Sequence, residues 1–419
     1  MTTPTIQNLT QRQIMLSFAY LAYTGELITT PRPEAQILAA INAAMPQIPP
    51  IAAPNDTWQV VWGPAVYTTP GALYQDNLMF VVQNQADTTR FAVAIRGTNF
   101  IADIDWLMED FDVRDMMIWP PGAATSSPAG AMMSESASIG LQVLLGMQGN
   151  TAQGPRSLVA FLTSLAQSPV EVCVTGHSLG GCLASTLALY LKEQQSTWDG
   201  SGKSIVSAVS FAGPTAGNTA FAAYSDSMFN GSPCPPGWDS SLGTTCDAVR
   251  CDLDAAPLVW IAANIAQTTN GKTTSPLFEL YQPTIDFSNL TFEQAVAWGV
   301  FRDHVLTGVA GLVSAQSYAQ IESQATALSG KIQPLNDLDP PVNITSSGDN
   351  SFKNYMQAFM EEAGYQHSSS YPIILQVPSL LSSTIIVRGP SPAGSARGAR
   401  TSRASVTAEA RPVAQVPGV

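Results

Sequence analysis

The stretch Glu171-Val172-Cys173-Val174-Thr175-Gly176-His177-Ser178-Leu179-Gly180-Gly181 decides how this chain is read. Its first five residues are a short apolar run that reads as a buried strand. Gly181 to Leu191 read as a helix: Leu183, Leu187 and Leu191 fall at i, i+4 and i+8, and Ala184 and Ala188 are small enough for close packing on a sheet. Strand, Gly-x-Ser-x-Gly and helix together form a nucleophile elbow. The reason is steric. The serine sits on a sharp, strained turn, and a Cβ two residues to either side would clash across it; glycine at 176 and 180 removes both. The turn exposes the Ser178 hydroxyl and aims a helix N-terminus at the place where negative charge would develop.

Outward from that motif, composition narrows the classes. With 419 residues the chain is long enough for a large core in one large or two ordinary domains. A net charge of -13 argues against nucleic acid as a partner, because phosphate binding needs clustered Lys and Arg. It also weakens any electrostatic case for anionic lipid. No apolar run reaches the roughly 18 residues of a membrane span. Met1 to Gly25 lacks a basic n-region and reads as a poor signal peptide, with Ile14, Phe18, Leu21 and Ala22 suggesting an amphipathic helix instead; the compartment stays open. Cys173 and Cys182 flank the elbow as small core residues. Cys234 and Cys246 lie in a Pro/Gly/Ser-rich insertion, where a bridge between them is compatible with the sequence but not fixed by it. No histidine is near Cys234, Cys246 or the following Cys251, and no Cys-x-x-Cys occurs, so metal binding by these three is not expected; no cofactor is expected.

In chain order, residues 30–57 read as an irregular Pro- and Ala-rich connection. Trp58–Val66, Asn77–Gln83 and Arg90–Arg96 read as strands. Residues 136–166 look helical. After the elbow helix come a strand at Ser204–Phe211, the insertion 224–246 and a strand at Ala248–Leu253. Residues 258–335 read as several helices and loops, 352–363 as a helix, and Tyr371–Val377 as a last strand or extended segment. Strands alternating with helices imply a layered α/β fold with a largely parallel sheet. The expected organisation is one domain over 1–387 and a disordered tail over 388–419, whose small residues and arginines cannot bury enough surface to order themselves.

A serine hydroxyl needs a base, and the base needs an acid to orient it. The chain has three histidines. His177 is inside the elbow, where its ring cannot easily reach the Ser178 hydroxyl, so His304 and His367 remain; both follow the order Ser, Asp, His. Asp252 and Asp254 compete as the acid. Asp254 is nearer the strand's C-terminal end and carries the spacing to Pro257.

With these residues in place, the chain resembles the class 3 lipases, the fungal-lipase-like family of α/β-hydrolases. The motifs that carry the resemblance are Ile95-Arg96-Gly97-Thr98, Asp105-Trp106-Leu107, Gly176 to Gly181, Phe211-Ala212-Gly213-Pro214 through Gly217-Asn218, and Asp254-Ala255-Ala256-Pro257. The resemblance implies an α/β-hydrolase fold and a Ser178, Asp254, His367 triad, since the family ends in a His followed a few residues later by Tyr, as His367 and Tyr371 are here. It implies an oxyanion hole of Thr98 beside the Leu179 N–H. It also implies that the Met- and Trp-bearing segment 103–135 is a lid over an acyl groove; read from its residues alone, that segment could equally cover the core. The chain departs from the compact members in the Cys-bearing insertion, in Ala256 where Val usually precedes the Pro, and in the long gap between Asp254 and His367. The shorter gap from Asp254 to His304 keeps that histidine open.

The expected activity is carboxylic-ester hydrolysis of lipid, most simply a triacylglycerol lipase acting at an interface. A phospholipase or feruloyl-type esterase on the same scaffold, or a catalytically silent binding module, are the alternatives. The oligomeric state is left open.

Overall fold

In a computed structural model the described residues are 9–25, 33–53, 57–68, 77–97, 115–123, 125, 128–235, 237–265, 267–269, 272–281, 317–321, 325–334, 337 and 350–381. Thr98, Trp106, His304 and the expected tail 388–419 lie outside them. The chain divides into two units, 1–387 and 388–419, and only the first contains described residues.

A seven-stranded sheet runs through the first unit. Its strands, in spatial as in chain order, are β1 (Trp58–Tyr67), β2 (Asn77–Asn84), β3 (Arg90–Ile95), β4 (Glu171–His177), β5 (Ile205–Phe211), β6 (Cys246–Cys251) and β7 (Ala325–Leu328). The pairs β1/β2 and β2/β3 are antiparallel, and β3 through β7 are parallel. This is the α/β-hydrolase fold expected from the sequence.

Alternation along the strands sends side chains to two cores, as the pleat requires. On β3, Phe91, Val93 and Ile95 join Leu141, Leu183 and Leu187 from the helices Glu135–Gly146 and Leu179–Glu193. Ala92 and Ala94 face the other way, onto Ile14, Phe18 and Leu21 of helix α1 (Leu9–Leu21) and onto Tyr371 and Leu380. Because α1 lies between the sheet and this C-terminal segment, it is buried almost all round rather than amphipathic, with Met15, Leu16, Ala19 and Tyr20 covered as well. Arg12 on α1 is also buried. Its Nε donates to Asp247 Oδ2 at 2.7 Å, and its terminal nitrogen donates to Thr326 Oγ1 at 2.7 Å. Thr326 in turn donates to Asp247 Oδ1 at 2.7 Å, so the ion pair is closed and α1 is pinned to β6 and β7.

Several local expectations need correction. Residues 30–57 contain a helix, Glu34–Ala44, that buries Ile37 and Ile41; Pro33 stands at its N-cap, and Pro46, Pro49 and Pro50 fall in the 3-10 turns Met45–Gln47 and Pro49–Ile51. Residues 136–166 are two helices, Glu135–Gly146 and Leu158–Leu165, each capped by a serine hydroxyl, with a short ladder between Gln148 and Ser157. The start of the 224–246 insertion is the end of helix Thr219–Phe229. All five cysteines are free thiols. Tyr371–Val377 is a short helix, Ser370–Ile374, not a strand. The last strand among the described residues is β7, whose Ala-Thr-Ala-Leu has none of the β-branched run that marks a strand.

The described part of segment 103–135 is anchored. Met116–Ile118 pairs with Met132–Ser134, and Trp119 is fully buried, edge-on to Phe221, with its indole N–H on Glu193 Oε2 at 2.9 Å. Among the described residues no helix is long and apolar enough to cross a membrane.

Candidate active site

The site forms at the carboxyl ends of β3, β4 and β6, where parallel α/β sheets open their crevice. β4 ends at His177, and the chain reverses at Ser178, a non-glycine residue held at φ 60° and ψ -131°. Such strain persists only where the surroundings over-determine it. Here Ser178 N–H donates to Phe211 O at 3.0 Å, and Ser178 O accepts from Gly181 N at 2.8 Å. A Cβ on Gly180 would sit 2.5 Å from Ile95 O, and one on Gly176 would collide with the Gly180 carbonyl, so both glycines are needed for the turn. Leu179 is the first residue of the following helix, so its N–H is one of the four that a helix cannot pair internally.

Beyond β6, Asp254 and His367 meet. His367 Nδ1 lies 3.1 Å from each oxygen of the Asp254 carboxylate. Asp254 is wholly buried, which makes its other partners decisive. Oδ2 accepts the Tyr371 hydroxyl at 2.7 Å, and Oδ1 accepts the Ala256 N–H at 3.0 Å. Burial first, and then the Asp254 charge, hold the Tyr371 hydroxyl well above its ordinary pKa, so it stays a donor. Its oxygen takes the Cys251 N–H at 3.0 Å, which ties the end of β6 to the same network. Asp252 goes elsewhere. The strand ends at Cys251, and the turn leaves Asp252 exposed, accepting from Gly330 N at 2.7 Å. Two residues apart, the aspartates would share a face if the strand continued; the turn separates them.

His367 is in the last turn of the helix Asn350–Ser368. A helix leaves its final carbonyls without internal partners, and here two of them are met from outside. The His367 carbonyl is 2.7 Å from His177 Nε2, and the Ser368 carbonyl accepts the Tyr20 hydroxyl. His177 is fully buried among the rings of Tyr20, Tyr23, His367 and Tyr371. The Tyr23 hydroxyl lies 3.1 Å from its Nδ1. Burial, reinforced by the neighbouring His367, keeps the His177 ring neutral, well below its usual pKa. Tyr20, Tyr23 and the structural use of His177 were not legible in sequence; no spacing links α1 to residues so far along the chain. Among the described residues no group of His, Cys, Asp or Glu is arranged to hold a metal ion.

The fold is that of an α/β-hydrolase. Residues 92–232 match the family model of class 3 lipases, so the resemblance read from the motifs holds. The fold is similar to the crystal structure of M37 lipase at 28% identity and a TM-score of 0.65, covering 90% of this chain and 96% of that one. A lipase from Rhizopus microsporus var. chinensis is similar at 18% identity, with 62% and 71% of the two chains covered and a TM-score of 0.39. The Rhizomucor miehei lipase propeptide complex stands at 20% identity, 63% and 66% coverage and a TM-score of 0.41. No curated protein sequence matches the chain.

Proposed function

We propose that this chain is a lipase: a carboxylic-ester hydrolase that acts on lipid esters, acylglycerols first among them, through Ser178, His367 and Asp254. The observation that carries this reading is the seat of His367 Nδ1 on both oxygens of the buried Asp254 carboxylate. A carboxylate only accepts, so the ring proton is assigned to Nδ1 and the lone pair to Nε2. That is the tautomer a general base for a serine hydroxyl must have.

Ser178 Oγ attacks the ester carbonyl while His367 Nε2 takes its proton. The imidazolium, stabilised by Asp254, then protonates the departing alkoxide, and the alcohol leaves an acyl-Ser178 ester. Water, deprotonated by the same nitrogen, attacks that ester, and the fatty acid leaves as the proton returns to Ser178. The Leu179 N–H, with Thr98, is assigned to the oxyanion in both steps. Lipid as substrate is supported by the likeness to M37 lipase over most of both chains.

A panel of triacylglycerol emulsions, phospholipid vesicles and p-nitrophenyl esters tests the reading. Release of fatty acid from the emulsion, lost in Ser178→Ala and His367→Ala but kept in His304→Ala, is expected. Phospholipid as the only substrate would move the specificity to that alternative, and full activity in His367→Ala would overturn the triad.

A further inference from the structure

The histidine inside the elbow motif is used by neither the hydroxyl nor the oxyanion, yet it is fully buried and hydrogen-bonded through both ring nitrogens. We propose that His177 is a positioning residue: a strut whose Nε2–H holds the main chain of His367 against the elbow and so sets the reach of the base toward Ser178. The proposal rests on the reading of His367 as the base.

The argument begins with what each partner can do. The His367 carbonyl can only accept, so the 2.7 Å contact requires the proton of His177 on Nε2. That leaves a lone pair on Nδ1, where the Tyr23 hydroxyl sits at 3.1 Å. Tyr23 is steadied in turn through its neighbour Ala22, whose carbonyl accepts from Arg96 Nε at 2.7 Å. The strut therefore runs from the end of α1, through an imidazole next in sequence to Ser178, to the helix end that carries His367. The rings of His177 and His367 are 4.7 Å apart, so a rotation of one displaces the other. Tyr20, on the Ser368 carbonyl, braces the same helix end from the same helix α1.

Asp254 fixes one nitrogen of the His367 ring but not the height of its backbone. A shift of about 1 Å at a reacting group costs on the order of 100-fold in rate. Such a shift changes the chemical step and leaves ground-state binding of the ester alone, so it is read in kcat and not in KM.

Steady-state kinetics of the full chain test this with His177→Leu and His177→Gln. Leucine removes the donor, whereas the glutamine amide presents an N–H near the position of Nε2. In His177→Leu, kcat should fall about 10- to 100-fold with KM within about two-fold, and the rate of fluorophosphonate labelling should fall in parallel. His177→Gln should regain most of both. An equal loss in both variants, with circular dichroism unchanged, would overturn the strut, and so would an unchanged kcat in His177→Leu. If neither variant folds, the native protein still decides. The chain has three histidines, so ¹⁵N-histidine spectra resolve them; His177 should report the Nε2–H tautomer, and an Nδ1–H tautomer would overturn the proposal. His367→Ala separates the two readings. Full activity there removes the triad and the strut together, whereas an inactive His367→Ala beside a fully active His177→Leu removes the strut alone.

Discussion

Tyr371 donates its hydroxyl to Asp254 Oδ2 at 2.7 Å, on a carboxylate with no solvent exposure. Four residues before Tyr371, His367 uses the same carboxylate. Removing the hydroxyl leaves that charge one partner short. Hydrogen bonds to charged groups contribute roughly 1.5–3 kcal/mol, so Tyr371→Phe should lower stability by about that much in a urea titration. It should also lower kcat, because a loosened carboxylate no longer fixes the imidazole. A stability and kcat equal to the native protein's would show that the hydroxyl has no such role.

Asp254→Asn tests the tautomer separately. The Ala256 N–H would keep the amide oxygen in the Oδ1 position, turning the NH₂ toward His367. His367 would then have to carry its proton on Nε2, the wrong nitrogen for a base. A fall in kcat on the order of 10⁴-fold near neutral pH is expected, with the fold intact. A loss below about ten-fold would mean that Asp254 is not what sets the tautomer.

The Arg12, Asp247 and Thr326 triangle lies outside the site and should matter for stability only. Burial raises the Asp247 pKa against the opposing pull of Arg12, so the carboxylate depends on its partner. Arg12→Met should cost about 3–5 kcal/mol because it strands a buried charge. Adding Asp247→Leu to Arg12→Met should recover a large part of that. Chemical denaturation of the two single variants and the double variant checks this; strictly additive losses would contradict it.

His177 gives a signed pH dependence of stability. Burial is the main reason its folded pKa lies well below 6.5, and His367 adds to it; the other groups facing the ring, Tyr20, Tyr23 and Tyr371, are neutral hydroxyls. Below about pH 6.5 the unfolded chain therefore binds a proton at this residue that the folded chain refuses. Stability should fall as pH drops from there, with a slope of up to about 1.4 kcal/mol per pH unit from this group. His177→Gln should remove that part of the slope, read as the difference between the two proteins' urea curves at several pH values. Parallel curves would contradict it.

The elbow was legible because its logic is local: an apolar strand, two glycines and a small-residue helix are all written within one stretch. Asp254 was legible from its place before Pro257. The helix that carries His367 was foreseen over 352–363 but not to Ser368, because Ser368-Ser369-Ser370 reads as a turn while the helix end is held by Tyr20 and His177 from far away in sequence. β7 was missed for a related reason. Its four residues are held in the sheet by backbone pairing with β6, which leaves no side-chain pattern to read. Cys246 is wholly covered in β6 and Cys234 is partly covered, and both are free thiols.

The most direct measurement is intact-protein mass spectrometry after a brief exposure to a fluorophosphonate. One adduct per chain, mapped to Ser178 and strongly slowed in both His367→Ala and Asp254→Asn, is the expected result. Labelling of another residue, or labelling of Ser178 at the native rate in His367→Ala, would contradict the triad on which the proposed function stands.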